Sequence, residues 1–370
     1  MLLPALAMTL VVGIYPSPAN ATTVSRPHWQ IIDLGNLGRP WMFTTAMNDR
    51  GDIGGIADTG DNAPHLFFWH EGTLTDLGVR GDIGRTRVTA INNRGQVIGT
   101  ADTPVQGFLW QHGSLTGLPF VPSDINNRGD IVGGDGQHAW LWRQGIVTDL
   151  SPPGATSSTA RAINESGEVA ISASITVGND SPARNEGFLW HRGVFTNIGD
   201  LGGENTTVDR INDRGDLIGA SATVSGQLPH PFLWHNGVMT DLAPPTAALS
   251  YAAALNNRAE VVVLQTTQST LQSVPLLWRN GSVTDLTPPG AGGSGANLIN
   301  DRGDVAVVGD YFLLFREQRP FLWRDGRSTE LPRFEGFNTY QLAGLNQRGD
   351  RLAGSAFIND TWHAVRWVLS

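Results

Sequence analysis

The 370-residue sequence contains no cysteine, which excludes disulfides, thiolate nucleophiles and cysteine-based metal centres. Its 25 basic residues are all arginine. Without lysine there is no amine for Schiff-base chemistry and no lysine-based phosphate cradle. The formal net charge is −9, with both signs interspersed, and the lack of a basic stretch argues against a nucleic-acid partner. Apolar runs of membrane-spanning length are also missing. The longest, through Leu10-Val11-Val12, is broken by Pro16 and Pro18 and ends in Ala19-Asn20-Ala21. That ending resembles a signal-peptidase site, although the segment before it carries no Lys or Arg. Residues 1–21 are read as a signal peptide, 22–27 as a short segment and 28–370 as a single domain, and the mature protein is expected to be secreted or periplasmic, without a membrane span and monomeric.

Repetition takes the place of these features. Arg210-Ile211-Asn212-Asp213-Arg214-Gly215-Asp216-Leu217-Ile218-Gly219 sets apolar segments on either side of Asn-x-x-Gly. This is tight-turn chemistry, because Asn bonds its own backbone and Gly accepts positive φ. Pro231 to Leu242 then repeats the pattern with an aromatic-rich strand, a Gly turn and a second strand. One unit is therefore four short antiparallel strands, A to D.

The turn Asn recurs eight times, at 48, 92, 126, 164, 212, 256, 300 and 346. The mean period is about 43 residues, the length of a four-stranded propeller blade. Strand C recurs with Trp69, Trp110, Trp142, Trp190, Trp234, Trp278, Trp323 and Trp367, and the last has no strand D after it. The missing strand stands at the other end, where Gln30 to Gly35 matches Val238 to Leu242. The expected fold is all-β, an eight-bladed propeller whose N-terminal strand completes the last blade and leaves no free sheet edge at the seam. Repeating a strand C Trp in each blade predicts a continuous ring of buried indoles.

Repeated polar columns are structural by default. Asp33, Asp76, Asp149, Asp241 and Asp285 end strand D, where they suit loop amides. His65, His138, His230 and His363 stand four before the strand C Trp. A ring separates these histidines, so no metal site is expected, nor any cofactor. Arg-Gly-Asp occurs six times, five of them at the A-B turn where Gly is required anyway. Asn-Asp-Arg-Gly-Asp lacks the spacing of a calcium loop. Two positions before the turn Asn, mostly small residues suit a crowded inner strand; Asp124 and Arg210 are exceptions and candidates for polar channel residues.

The unit, A-I-N-[ND]-R-G-[DQ]-[IVL]-[IV]-G followed by H-x-F-L-W-x-x-G-x-x-T-D-L-G, resembles the HAF repeat of bacterial extracellular proteins. The name-giving triplet is degenerate, as in His65-Leu66-Phe67, His138-Ala139-Trp140 and His230-Pro231-Phe232. The resemblance covers residues 28 to 370 and implies an extracellular repeat protein; it brings no reaction or catalytic residue with it.

All length variation falls in the B-C and D-A connections, on one rim, and variable loops on a rigid scaffold are where binding sites are usually built. Near the seam these loops are aromatic, which makes Trp41, Tyr311, Arg316, Phe337, Tyr340 and Trp362 candidates for binding a carbohydrate or a cell-surface protein. The competing expectation is that the same side chains fold inward and seal the junction of blades 7, 8 and 1. A binding protein is the favoured reading. The alternative is a polysaccharide hydrolase or lyase using loop carboxylates such as Asp180, Glu186, Asp200, Glu204, Asp209 and Glu335.

Overall fold

The computed structural model describes residues 28–370 apart from 62, 83, 103–106, 177–182, 226–227, 245–246, 268–271, 313–315 and 337–338. The signal peptide expected over 1–21 lies outside the described residues. The described strands form eight four-stranded antiparallel sheets, each a meander in the order A-B-C-D. Blade 1, for example, comprises Met42–Met47, Ile53–Asp58, Pro64–His70 and Thr73–Arg80. Blade 8 takes strands A to C from Thr339–Leu345, Arg351–Ile358 and Thr361–Leu369, and strand D from Trp29–Asp33. Trp29 pairs with Leu369, Ile31 with Trp367 and Asp33 with Val365, so the N-terminal strand closes the ring as expected. Each strand A contacts the strand A of the next blade all the way round, which puts the A strands innermost.

Both faces of strand C pack against neighbouring blades, because alternate side chains point to opposite sides of the sheet. Phe232 and Leu233, adjacent and on opposite faces, are both buried. The ring of buried indoles is only partly formed: Trp69, Trp323 and Trp367 are buried, whereas Trp110, Trp142, Trp190, Trp234 and Trp278 are half-buried. These tryptophans sit beside the C-D turn, near the rim. The position two residues earlier is deeper, with Phe67, Phe108 and Phe232 fully enclosed, and each such phenyl contributes on the order of 2–3 kcal/mol.

The turn asparagines join the blades. Asn212 Oδ1 accepts the N–H groups of Arg214 (3.0 Å) and Asp216 (2.9 Å), which fixes its own turn. Its Nδ2 donates to Asp216 Oδ2 (2.7 Å) and across the interface to the carbonyl of Asn256 (2.9 Å). The same crossing bond runs from Asn48 to Asn92, Asn92 to Asn126, Asn126 to Asn164, Asn164 to Asn212, Asn256 to Asn300 and Asn300 to Asn346. A second circuit lies outside it. The N–H of the residue after each Asn donates to the side chain of the corresponding residue in the next blade, from Asp49 to Asn93 onward and back from Gln347 to Asp49 (3.1 Å). Seven of the eight turns have glycine at the positive-φ position, and blade 6 makes the same contacts with Ala259. At Gly349 (φ +66°) a Cβ would stand 2.1 Å from Asp304 Oδ2 of the preceding blade, so a side chain is barred both by backbone conformation and by space.

Candidate ligand-binding face

Strand A carries a register irregularity three positions before the Asn in all eight blades. Beyond it, toward the variable-loop rim, the residue six before the Asn is buried in every blade: Met42, Thr86, Phe120, Ser158, Thr206, Ser250, Ser294 and Tyr340. The residue five before it is at least partly exposed, as at Arg87, Val121, Tyr251 and Gln341. This alternation decides which side chains a ligand entering from the loop rim would meet.

On that rim, across blades 6, 7 and 8, the inner strands border a hollow of about 540 Å³. Strand A of blade 6 (Ala247–Leu255) supplies Tyr251 and strand C (Ser273–Arg279) supplies Ser273. Asn297 comes from strand A of blade 7 (Gly293–Ile299) and Gln341 from strand A of blade 8. The Tyr251 ring is 53% exposed, enough to present a face. One carboxylate lines the hollow, Asp310, and its Oδ1 accepts Gln318 Nε2 at 2.9 Å. The lining thus combines one open aromatic face with hydroxyl and carboxamide groups.

Beside it, a hollow of about 710 Å³ between blades 7 and 8 is bordered by Trp29, Phe334 and four charged residues, Glu317, Glu330, Arg333 and Glu335. Glu317 is 5% exposed, accepts Arg319 Nη2 at 3.0 Å and is paired with Arg333. Glu330 accepts Arg333 Nε at 2.9 Å, and the Arg319 guanidinium lies 4.4 Å over the Tyr311 ring. Burial would raise the Glu317 carboxyl, yet the two arginines hold it below its ordinary value. Its hydrogen bond to Glu317 pushes Arg319 up, and burial pushes the Tyr311 phenol up. Glu317 and Glu330 are thus each paired with arginine, and the pairs tie blade 7 to the connection that leaves it.

The aromatic residues singled out in the sequence are therefore divided. Tyr340 is 1% exposed, packs on Trp367 at 6.1 Å between ring centroids and accepts the Phe334 N–H. It belongs to the seam core and borders the 540 Å³ hollow with almost none of its surface, as the inward-folding expectation has it. Trp362 is half-buried, edge-on to Phe357 of its own blade (5.4 Å) and, across the junction of blades 8 and 1, to Phe43 (5.2 Å). Trp41 packs against the core between blades 1 and 2. Tyr311 donates its hydroxyl to the Pro289 carbonyl at 3.1 Å. These four do not converge on one hollow. Phe337 and the Arg316 side chain lie outside the described residues.

Asp124 and Arg210 staple blades together. Asp124 accepts the Ile125 N–H (2.8 Å) and, from blade 4, the Ile163 N–H (3.0 Å). Burial nevertheless pushes its carboxyl up to about 6, against those bonds and the Arg210 charge. Arg210 Nε donates to the Ala253 carbonyl of blade 6 at 3.1 Å. Desolvation likewise raises Asp209, countered by Arg161 and Arg210.

The strand D acids act as read from the sequence, for instance Asp241 Oδ1 accepting the Ala243 N–H (2.8 Å). Three of the four column histidines pair with them, His65 with Asp76 (2.6 Å), His230 with Asp241 (2.8 Å) and His363 with Asp33 (2.8 Å), whereas His138 stands by Asp135. Among the described residues no group of three or more His, Asp or Glu could hold a metal ion. Of the loop carboxylates, Glu186 is held by Arg184 (2.7 Å) and Asn197 (2.6 Å), and Asp200 accepts the Gly202 N–H (2.6 Å). Glu186 stands in blade 4 and Glu335 before blade 8, half a ring apart. Asp180 lies outside the described residues.

Of the residues lining the 540 Å³ hollow, only Tyr340 was among the sequence candidates. Ser273, Asn297 and Gln341 are unremarkable locally and come from three blades. Counting back from each turn Asn would have marked Tyr251 and Gln341 as sharing one position.

No protein-family model and no curated protein sequence matches the chain. Solved structures do resemble it. The β-propeller domain of the Trilobed protease from Pyrococcus furiosus has a TM-score of 0.51 at 8% identity, over 80% of this chain and 99% of that one. An oligogalacturonate lyase in complex with manganese has a TM-score of 0.51 at 9% identity, over 94% of both chains. Porphyromonas gingivalis dipeptidyl peptidase 4 has a TM-score of 0.53 at 10% identity, over 87% of this chain and 56% of that chain. At such identities the likeness extends to the propeller fold and no further.

Proposed function

We propose that this chain is an extracytoplasmic binding propeller of the HAF-repeat type, which takes a glycan at the loop-rim mouth of its channel between blades 6 and 8. The observation that carries this reading is the 540 Å³ hollow, where the exposed Tyr251 ring stands among Ser273, Asn297, Gln318 and Gln341. An aromatic face beside hydroxyl and carboxamide groups suits the apolar face and the hydroxyls of a sugar ring. Titration calorimetry with a panel of neutral oligosaccharides tests it. Tyr251→Ala is expected to weaken binding about fivefold to tenfold, from roughly 1 kcal/mol of lost stacking, with little change in melting temperature. Absence of binding across the panel, or binding indifferent to Tyr251→Ala and Gln341→Ala, would refute the reading. Release of new reducing ends or unsaturated products would favour the hydrolase or lyase alternative.

A further inference from the structure

The ring of A-B turns is irregular at one joint. In seven blades the turn closes on the fourth residue after the Asn, as with the Asn48 N–H to the Asp52 carbonyl. In blade 8 it closes on the fifth, Arg351, so this turn is one residue longer. The extra residue reaches over the seam, where the Arg351 side chain lies against Gly51 and its Nη1 bonds the Arg50 carbonyl.

That bond engages an acceptor used differently at two other joints. Elsewhere the turn arginine can donate to the matching carbonyl of the next blade, as Arg94 does to Arg128 (3.0 Å) and Arg302 to Arg348 (3.1 Å). For Arg348 the equivalent acceptor is the Arg50 carbonyl, already taken by Arg351. The Arg348 guanidinium is exposed and lines a hollow of about 360 Å³ together with Arg50, Arg351, Asp49, Asn93 and Gln347. Three arginines face one carboxylate. The Asp49 oxygens accept the Gln347 N–H (3.1 Å) and Asn93 Nδ2 (3.2 Å), while Arg50 Nη1 is turned to the Asn93 carbonyl (3.0 Å). Arg366 lies outside the hollow, 4.4 Å over the Trp69 ring; burial, and then the charge of Arg351, hold it below its ordinary value. On a chain of net charge −9 this is a concentrated cationic hollow, built at the one turn that departs from the repeat.

We propose that this seam hollow is an oxyanion-binding site, with Arg348 and Arg351 as the gripping guanidiniums and Gln347 and Asn93 as neutral hydrogen-bonding neighbours. Planar guanidinium forks match the paired oxygens of phosphate, sulfate or carboxylate. The volume is at the small end of ligand sites, about 300 Å³ and above, so it accommodates either a free oxyanion or one attached to a body the size of a sugar. The site is on the rim opposite the proposed glycan hollow and does not depend on it.

Calorimetric titration of the intact protein with inorganic phosphate and with glucose 1-phosphate, at constant ionic strength in chloride buffer, tests the proposal. Saturable binding at millimolar concentration or tighter is expected. Arg348→Gln should weaken it at least fivefold, and Arg192→Gln, an exposed arginine on the same rim away from the hollow, should leave it unchanged. Because Arg348 has its next-blade acceptor occupied, its replacement should not unfold the protein; an unshifted melting temperature confirms that any loss is local. Tighter binding of glucose 1-phosphate identifies the anionic group of a larger molecule as the ligand, and equal or tighter binding of phosphate identifies the free ion. No saturable binding of either compound, or equal affinity in wild type and Arg348→Gln, overturns the proposal.

Discussion

The side-chain amide of Asn346 stands 3.5 Å from the carbonyl of Asp49, the longest joint in a circuit whose other seven crossings measure between 2.8 and 3.2 Å. It also meets Asp49 where the pattern calls for Asn48, because the longer turn at Arg351 shifts the two blades. Asn212→Ala removes a full-strength crossing bond, the two N–H bonds that fix its turn and one of the two side-chain partners of the buried Asp216, which keeps His235. It is expected to cost about 2–4 kcal/mol. Asn346→Ala loses the equivalent bonds within its own turn, to Asp350 and Arg351, but only a stretched crossing bond, and should cost about 1 kcal/mol less. Denaturant unfolding of the two variants measures the difference; equal losses would mean that the crossing bonds contribute nothing.

Closure makes its own prediction. Removal of residues 22–37 takes away strand D of blade 8 and leaves Trp367, fully buried between Ile31 and the core of blade 7, open to water. The truncated protein is expected to melt at a markedly lower temperature or to aggregate. An unchanged melting temperature would show that the strand only decorates the ring.

Tyr340→Ala should now behave as a core substitution. Loss of a fully buried aromatic costs about 3–5 kcal/mol, and its hydroxyl also holds the Phe334 N–H. Thermal unfolding should separate it clearly from Tyr251→Ala, which is expected to stay within about 0.5 kcal/mol of wild type.

Blade 6 has Ala259 where other turns have Gly, and its φ is +59°. A Cβ in this left-handed conformation costs roughly 1 kcal/mol. Ala259→Gly is expected to stabilise the protein by a few tenths to about 1 kcal/mol after the entropy of the unfolded glycine is set against it. A lower midpoint of unfolding would show that the methyl group packs better than the backbone suffers.

Asp124 sets a pH dependence. Its folded value of about 6 lies above the ordinary 3.8, so between those limits the folded state binds more protons than the unfolded one. Stability from this group is therefore present at about pH 4 and is lost as pH rises through 6. Asp124→Asn should flatten that part of the stability profile. Carboxylates held low, such as Asp130 by Arg143 against its own desolvation, act in the opposite sense. Their contribution is lost as pH falls below the carboxylate range. Parallel wild-type and variant curves from pH 4 to 7 would show that Asp124 is not raised.

The spacing of Asn-x-x-Gly and of the strand C aromatics was enough to determine the blade number, the strand order and the exchange of a terminal strand across the seam. Each is a property of the chain read along its length, and a period of about 43 residues has few other ways to bury its apolar faces. Exposure was not determined in that way. Tyr251 stands five residues before its turn Asn and Tyr340 six before, and in a strand that one step moves a side chain to the opposite face. The loop-rim hollow needed three blades brought side by side, and its polar groups carry no local pattern. The arginine hollow needed the ring itself. Arg351 and Arg50 are 301 residues apart and meet only because the two ends of the repeat close on each other, so the single inserted residue acquires its meaning from the tertiary structure.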